Sequence, residues 1–328
     1  MNPDNSIISI PSDTLSPSLQ SAHGPLLYNM TNDYMFRAVL QTNNKVLRGL
    51  ICSLLHLSEE EILSAEIINP IILGKSIENK EFHLDIHVRL NNHILINLEM
   101  QVADRRNWQN RSVIYLCRTF DQLNRGQDYN EVLPSIHIGF LDYTLFEESP
   151  EFYATYKLIN VKNNTIYSDN LTLSVVNLSR IDLATEEDKK FQIDHWAKLF
   201  KATTWEEITM LASKNNYFNE ASNTMIQLSA KDEICDRCRD RAEYDRTIRT
   251  YENTIDRTIR TYENTIAQTV NEYESTIAQT VNEYKNTIAQ TVNEYENTIS
   301  EKDARIQQLL AENERLKTIM KSHDANRS

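Results

Sequence analysis

From residue 151 to the end, the chain contains neither proline nor glycine, the residues that most readily interrupt regular backbone. Within that stretch, residues 245–255 and 256–266 are the same eleven residues, DRTIRTYENTI, and residues 267–277, 278–288 and 289–299 are copies or near-copies of AQTVNEYENTI. Apolar residues recur at Ile248, Tyr251, Ile255, Ile259, Tyr262, Ile266, Val270, Tyr273 and Ile277, and the pattern continues to Ile299 in steps of three, four and four. Eleven residues over three turns is about 3.67 per turn, a helical period that winds slightly right-handed. Thr, Ile, Val and Tyr individually favour strands, but a period of two is absent and periodicity outweighs propensity. A narrow apolar stripe on one helix must be covered by a partner. The sequence therefore predicts a coiled coil over 242–322 and a homo-oligomer, with a helix from Ala242 to Met320 about 120 Å long. Tyr in every layer argues against the tightest dimeric packing. Ile306, Leu309, Asn313, Leu316 and Met320 carry the stripe onward in heptad-like steps, where Asn313 would fix register.

A second pattern constrains the N-terminal half. Between residues 82 and 90, Phe82, Leu84, Ile86, Val88 and Leu90 alternate with His83, Asp85, His87 and Arg89. After Asn91-Asn92, Ile94, Ile96, Leu98 and Met100 alternate with Leu95, Asn97, Glu99 and Gln101. Strand side chains have a period of two, and Asn tolerates the positive φ of a tight turn, so this reads as a hairpin. The even-numbered rows face a core; Asp85, Glu99 and Gln101 share the other face. Two carboxylates on neighbouring strands suit Mg²⁺, which takes oxygen ligands and keeps several waters. Asp85 and Glu99 are the expected metal ligands, and Gln101 is placed to orient a water or a phosphate oxygen.

Asp followed by Glu-x-Gln on the next strand, set among Asn32-Asp33-Tyr34-Met35-Phe36-Arg37, Leu84-Asp85-Ile86, Asn97-Leu98-Glu99-Met100-Gln101, a helix with Arg111 and Tyr115, and the later Leu228-Ser229-Ala230-Lys231-Asp232-Glu233, resembles the Rpn family of recombination-promoting nucleases and transposases. That family lies within the PD-(D/E)XK nuclease superfamily, and the resemblance covers roughly residues 28 to 245. It implies an α/β fold with a mixed sheet flanked by helices, Mg²⁺ as cofactor with Mn²⁺ as a substitute, DNA as substrate, and recombination, transposition or defence as the process. Gln101 stands where the wider pattern has Lys, so the positive charge that Lys gives the transition state is missing or comes from elsewhere.

The remaining chain reads in order. Residues 1–24, rich in Ser and Asn with Pro3, Pro11 and Pro17, are expected to be a disordered leader. A nuclease-like domain over 25–182 and a helical extension over 183–241 follow, with a disordered tail at 323–328. Thr31 to Asp33 can cap a helix carrying Met35, Phe36, Val39 and Leu40; Asp33 is then either that cap or a third, accessory acid at the metal. Residues 46–57 form a second helix, the acidic run Ser58-Glu59-Glu60-Glu61 begins another, and residues 67–73 are an extended connection. Residues 107–123 form a helix with Val113, Ile114, Leu116, Cys117 and Phe120 inward, closed by Gly126. Its Arg111 and Tyr115, four apart, share a face: a phosphate grip on the resemblance, an ordinary surface pair without it. Strands are expected over 132–141, 152–161 and 171–178, and one amphipathic helix over 186–200.

The net charge of −13 argues against non-specific coating of duplex DNA, although Arg105, Arg106, Arg111, Arg118 and Arg125 supply a local basic strip. Alternate strand residues lie about 7 Å apart, too far for His83, Asp85 and His87 to collect one zinc ion easily. Cys52, Cys117, Cys235 and Cys238 are too few and too scattered for a disulfide framework, which points to a reducing cytoplasm; no apolar run is long enough to span a membrane. Three readings follow: a metal-dependent DNA endonuclease gathered by its coiled coil; a nuclease-like scaffold that has lost turnover and acts as an oligomeric interaction protein; or ordinary surface carboxylates on a sheet.

Overall fold

The computed structural model describes residues 15–71 and 85–325. The predicted hairpin is the centre of a six-stranded sheet. Strands β1 (Ala65–Ile67), β2 (Ile86–Leu90), β3 (Ile94–Gln101), β4 (Ser135–Leu141), β5 (Tyr153–Ile159) and β6 (Ile166–Asn177) lie in the order β1-β2-β3-β4-β6-β5. β1 to β3 are antiparallel neighbours, β3 and β6 flank β4 in parallel, and β5 closes the edge antiparallel to β6. The turn between β2 and β3 has positive φ at both Asn91 (50°) and Asn92 (59°), the backbone state that Asn accepts more readily than most residues. Asn91 Oδ1 also accepts from Leu63 N and Ser64 N at 2.7 and 3.0 Å, joining the hairpin tip to the entry of β1.

The even-numbered row is buried as the alternation requires: Ile86, Val88, Leu90, Ile96, Leu98 and Met100 join Ile138 and Phe140 in the main core. That face is covered by α2 (Asp33–Thr42), α3 (Asn44–Leu55), α6 (Ile193–Lys201) and α8 (Asn216–Ser229), whose apolar residues share the same core. Phe36, Phe140 and Phe200 meet pairwise at 5.3 to 5.4 Å between ring centroids. Such contacts add about 0.5–1.5 kcal/mol each beyond area burial, and they join α2, β4 and α6. The helices expected as an extension over 183–241 therefore build the same core as the sheet, and the first compact unit runs to residue 252.

The opposite face is covered by α4 (Trp108–Phe120), which carries the chain from β3 to the parallel β4. Its buried residues are Trp108, Ser112, Leu116 and Thr119, whereas Val113 and Ile114, expected inward, are 53% and 50% exposed. Cys117, also expected inward, is exposed as well. The reason is that Trp108 anchors the helix over Gly139 of β4. A Cβ at Gly139 would lie 2.0 Å from the Trp108 ring, so the absent side chain is what lets α4 approach. Gly139→Ala is expected to cost about 1–3 kcal/mol through overpacking, read as a lower urea midpoint; an unchanged midpoint would show that Trp108 does not set the docking of α4.

Other expectations are corrected. Of the leader expected over 1–24, residues 1–14 lie outside the described residues, but Pro17–Gln20 form a short helix, α1, capped by Ser16, with Leu15 and Leu19 in the main core. Burial of two leucines fixes this segment without any long-range period. The acidic run at 59–61 makes a single 3-10 turn rather than a helix, and Ile67, the first residue of the connection expected over 67–73, is the last residue of β1. α4 ends at Phe120 with Asp121 as its C-cap, before Gly126. The helix expected over 186–200 is two, α5 (Glu186–Lys190) and α6, broken at Gln192 with φ 59°. α7 (Trp205–Ala212) precedes α8.

The final helix, α9, runs uninterrupted from Asp232 to Ala325, and residues 253–328 form the second unit. Its stripe is uncovered in the single chain: Ile255, Tyr262, Ile266, Tyr273 and Ile277 are 57–67% exposed. Threonines of the repeat donate back to the carbonyl four residues earlier, for example Thr258 to Thr254 and Thr269 to Thr265 at 2.9 Å, which is how a β-branched hydroxyl residue is accommodated in a helix.

Candidate active site

β3 is buried on both faces, so its odd-numbered residues Asn97 and Glu99 lie beneath α4. Ile86 pairs with Leu98, and this register brings Asp85, the residue before β2, beside Glu99. Asp85 is 9% and Glu99 4% exposed. The structure thus brings the two expected ligands together on adjacent strands.

Each carboxylate has a cationic or ionisable neighbour. Asp85 Oδ2 lies 2.6 Å from His87 Nε2 on the same strand face. Arg111 Nε donates to Glu99 Oε1 at 2.6 Å, while Glu99 Oε2 is buried without a hydrogen-bond partner. Burial pushes the Glu99 carboxyl up to about 7, against the pull of Arg111 and with the charges of Asp85 and Asp33 adding to the rise. The Arg111 guanidinium lies 4.8 Å over the Tyr115 ring, and Arg118 lies 5.8 Å from the same ring. Arg111 and Tyr115 therefore stand beside Glu99 rather than on an unrelated surface.

Asp33 is not the cap of α2. Asn32 accepts from Met35 N at 3.2 Å in that role, and Asp33 is the first residue of the helix. Its Oδ2 lies 2.7 Å from Arg241 Nε, while Oδ1 is buried without a partner. Burial raises the Asp33 carboxyl to about 6, although Arg241 pulls it down. Gln101 sits at the end of β3 with its amide donating to Ala103 O at 2.9 Å, so the loop after the strand engages it. His83 lies outside the described residues.

Three further residues lie around these side chains: His137 and Arg241, which carry no mark in the sequence motifs, and Arg37, which ends the motif at 32–37 but has no role assigned there. His137 on β4 is fully buried and pairs in register with Asn97. Asn97 Nδ2 is 3.0 Å from His137 Nδ1, and His137 Nε2 is 3.7 Å from Glu99 Oε2. Burial drives the His137 pKa down to about 3, so the ring is neutral. Ser135, His137 and Gly139 are the small or polar alternate positions of an otherwise apolar strand, a signal that could have singled out His137. Arg241, from the start of α9, holds Asp33. Arg37, fully buried on α2, donates to the backbone carbonyls of Asp85 and Asn69.

Among the described residues, no three His, Cys, Asp or Glu side chains converge closely enough to hold one ion. The donor chemistry nevertheless fits a hard cation: Mg²⁺ needs only one or two carboxylates with waters and phosphate oxygens. The unpartnered buried oxygen of Glu99 is an acceptor that such an ion would satisfy. A neighbouring cavity of about 410 Å³ is lined by Asn29, Asn32, Asp142, Arg246 and Arg249 among others, next in sequence to Asp33 and Arg241.

Comparison with curated proteins and with solved structures yields no match. A family model does match: that of the PD-(D/E)XK nuclease family transposases, over residues 30–252. The matched span contains the sheet, Asp85, Glu99, the α4 pair and the start of α9, and the chain belongs to the PD-(D/E)XK nuclease family of transposases.

Proposed function

We propose that the chain is a metal-dependent DNA endonuclease acting in recombination, transposition or defence in the cytoplasm, its copies gathered by the coiled coil of α9. The observation that carries this reading is the buried Asp85–Glu99 pair on adjacent strands, with one oxygen of Glu99 unpartnered. Asp85 and Glu99 would hold Mg²⁺, or Mn²⁺ in its place, with Asp33 as an accessory acid. A bound ion there supplies an activated water and neutralises charge on phosphate. Arg111 keeps Glu99 oriented through Nε and offers its other N–H donors to the phosphate, with Tyr115 beneath its guanidinium. Gln101 orients the attacking water on release from Ala103, and Arg246 and Arg249 in the adjacent cavity suit a strand of phosphodiesters. The exposed stripe of α9 fits a second copy of the same helix, which would cover it and bring two sites to one duplex.

The second reading, a nuclease-like scaffold without turnover, is favoured by Gln101, which lacks the lysine charge and whose amide is engaged by the backbone. One experiment divides the two. Supercoiled plasmid is incubated with the protein in Mg²⁺, Mn²⁺ or EDTA, beside Asp85→Asn shown by circular dichroism to keep its fold. Nicking that needs metal and vanishes in Asp85→Asn is expected. Intact plasmid with wild type in both metals would select the scaffold.

A further inference from the structure

Glu99 Oε2 and His137 Nε2 are both buried, both without a hydrogen-bond partner, and 3.7 Å apart. That spacing is too long for a hydrogen bond. An ion about 2.1 Å from each atom would span it at an angle of about 120°. Mg²⁺ has little affinity for imidazole, whereas first-row transition ions accept it, Mn²⁺ the most weakly of the series. We propose that His137 Nε2 and Glu99 Oε2 form a two-donor subsite that selects a first-row divalent transition ion over Mg²⁺. This rests on the metal-dependent reading above and specifies the ion.

The surroundings supply what such a ligand needs. A metal-bound imidazole usually donates its other N–H to a fixed acceptor. The Asn97 amide stands 3.0 Å from His137 Nδ1, and its Oδ1 is buried without a partner. Turning that amide by half a turn gives Oδ1 the Nδ1 proton and leaves the Nε2 lone pair for the ion; the two ends of an amide have nearly the same shape. Trp108 and Tyr115, with ring centroids 5.5 and 6.2 Å from that of His137, wall the imidazole in. His87, paired with Asp85, is the competing nitrogen donor.

The test is pulsed electron paramagnetic resonance of the full chain loaded with Mn²⁺, which reads nitrogen bonded to the metal without any turnover. Nitrogen modulation from an imidazole is expected in wild type and in His87→Gln, and its loss is expected in His137→Gln. Mn²⁺ affinity of His137→Gln should fall about tenfold or more, while Mg²⁺ affinity, measured by competition, changes little. Bound Mn²⁺ without nitrogen modulation would overturn the subsite and leave the carboxylate reading standing. Modulation that survives in His137→Gln and disappears in His87→Gln would overturn it equally. A wild-type chain that binds neither ion would bring down both readings. If His137→Gln fails to fold, the wild-type and His87→Gln spectra still decide.

Discussion

Glu99→Gln is expected to abolish metal-dependent cleavage and at the same time to raise the stability of the fold above pH 7. Loss of cleavage follows because an amide oxygen is a weaker ligand than a carboxylate and carries no charge to offset the ion's. The gain in stability follows from burial. Glu99 is 4% exposed and its carboxyl titrates at about 7 rather than at the 4.5 of a free group. Such a shift corresponds to as much as about 3 kcal/mol of destabilisation once the group is ionised. The amide introduced by Glu99→Gln would still accept from Arg111 while avoiding that cost.

The sign of the pH dependence is fixed by the direction of the shift. A carboxyl whose folded pKa is raised binds its proton more tightly in the folded state. Its contribution to stability therefore falls as pH rises from 4.5 to about 7 and is level beyond. His137, lowered to about 3, acts oppositely at lower pH, and Asp33, raised to about 6, acts like Glu99. Both are present in wild type and in Glu99→Gln, so the difference between the melting temperatures of the two proteins reports Glu99 together with the smaller effect of its charge on Asp33. It should be near zero at pH 4.5, grow through pH 6 and reach a plateau of several degrees near pH 8. A difference that stays flat across this range would show that Glu99 is not strained by its burial.

The hairpin is legible in the sequence because its information is local. Period-two alternation puts Ile86, Val88, Ile96 and Leu98 in the core and Asp85 with Glu99 on the other face, and an Asn-Asn pair marks the turn. The α9 helix is legible for the same reason, its period being written out five times over. His137 and Arg241 are not, because each reaches the site by long-range packing: His137 through parallel pairing of β4 with β3, Arg241 through the first turns of α9. Neither partnership leaves a spacing in the sequence. The inward face of α4 is misread from hydrophobicity, which favours Val113 and Ile114, whereas the geometry is set by one large ring, Trp108, over one missing side chain, Gly139. The break at Gln192 has no glycine or proline to announce it.

Arg37→Met should lower the stability of the fold by about 3 kcal/mol, among the larger effects of any single substitution here. Arg37 is fully buried, and burial lowers its pKa against the supporting charge of Asp85. Its guanidinium is retained in the interior because it ties two chain segments together. It donates to the carbonyls of Asp85 and Asn69; Asn69 Nδ2 also donates to Asp85 O at 3.0 Å, and His87 N donates to Asn69 Oδ1 at 2.9 Å. Methionine fills similar volume but leaves the Asn69 carbonyl without its guanidinium donor and uncouples α2 from the start of β2. Lysine keeps the charge but cannot donate through a planar fork, so Arg37→Lys should recover only part of the loss. Because the same bonds fix the backbone of Asp85, Arg37→Met should weaken Mn²⁺ binding by more than its unfolded fraction accounts for, measured at a urea concentration and temperature where the variant is still folded. An unchanged urea midpoint would refute the structural tie, and a lower midpoint with unchanged Mn²⁺ affinity would show that Asp85 keeps its position without Arg37.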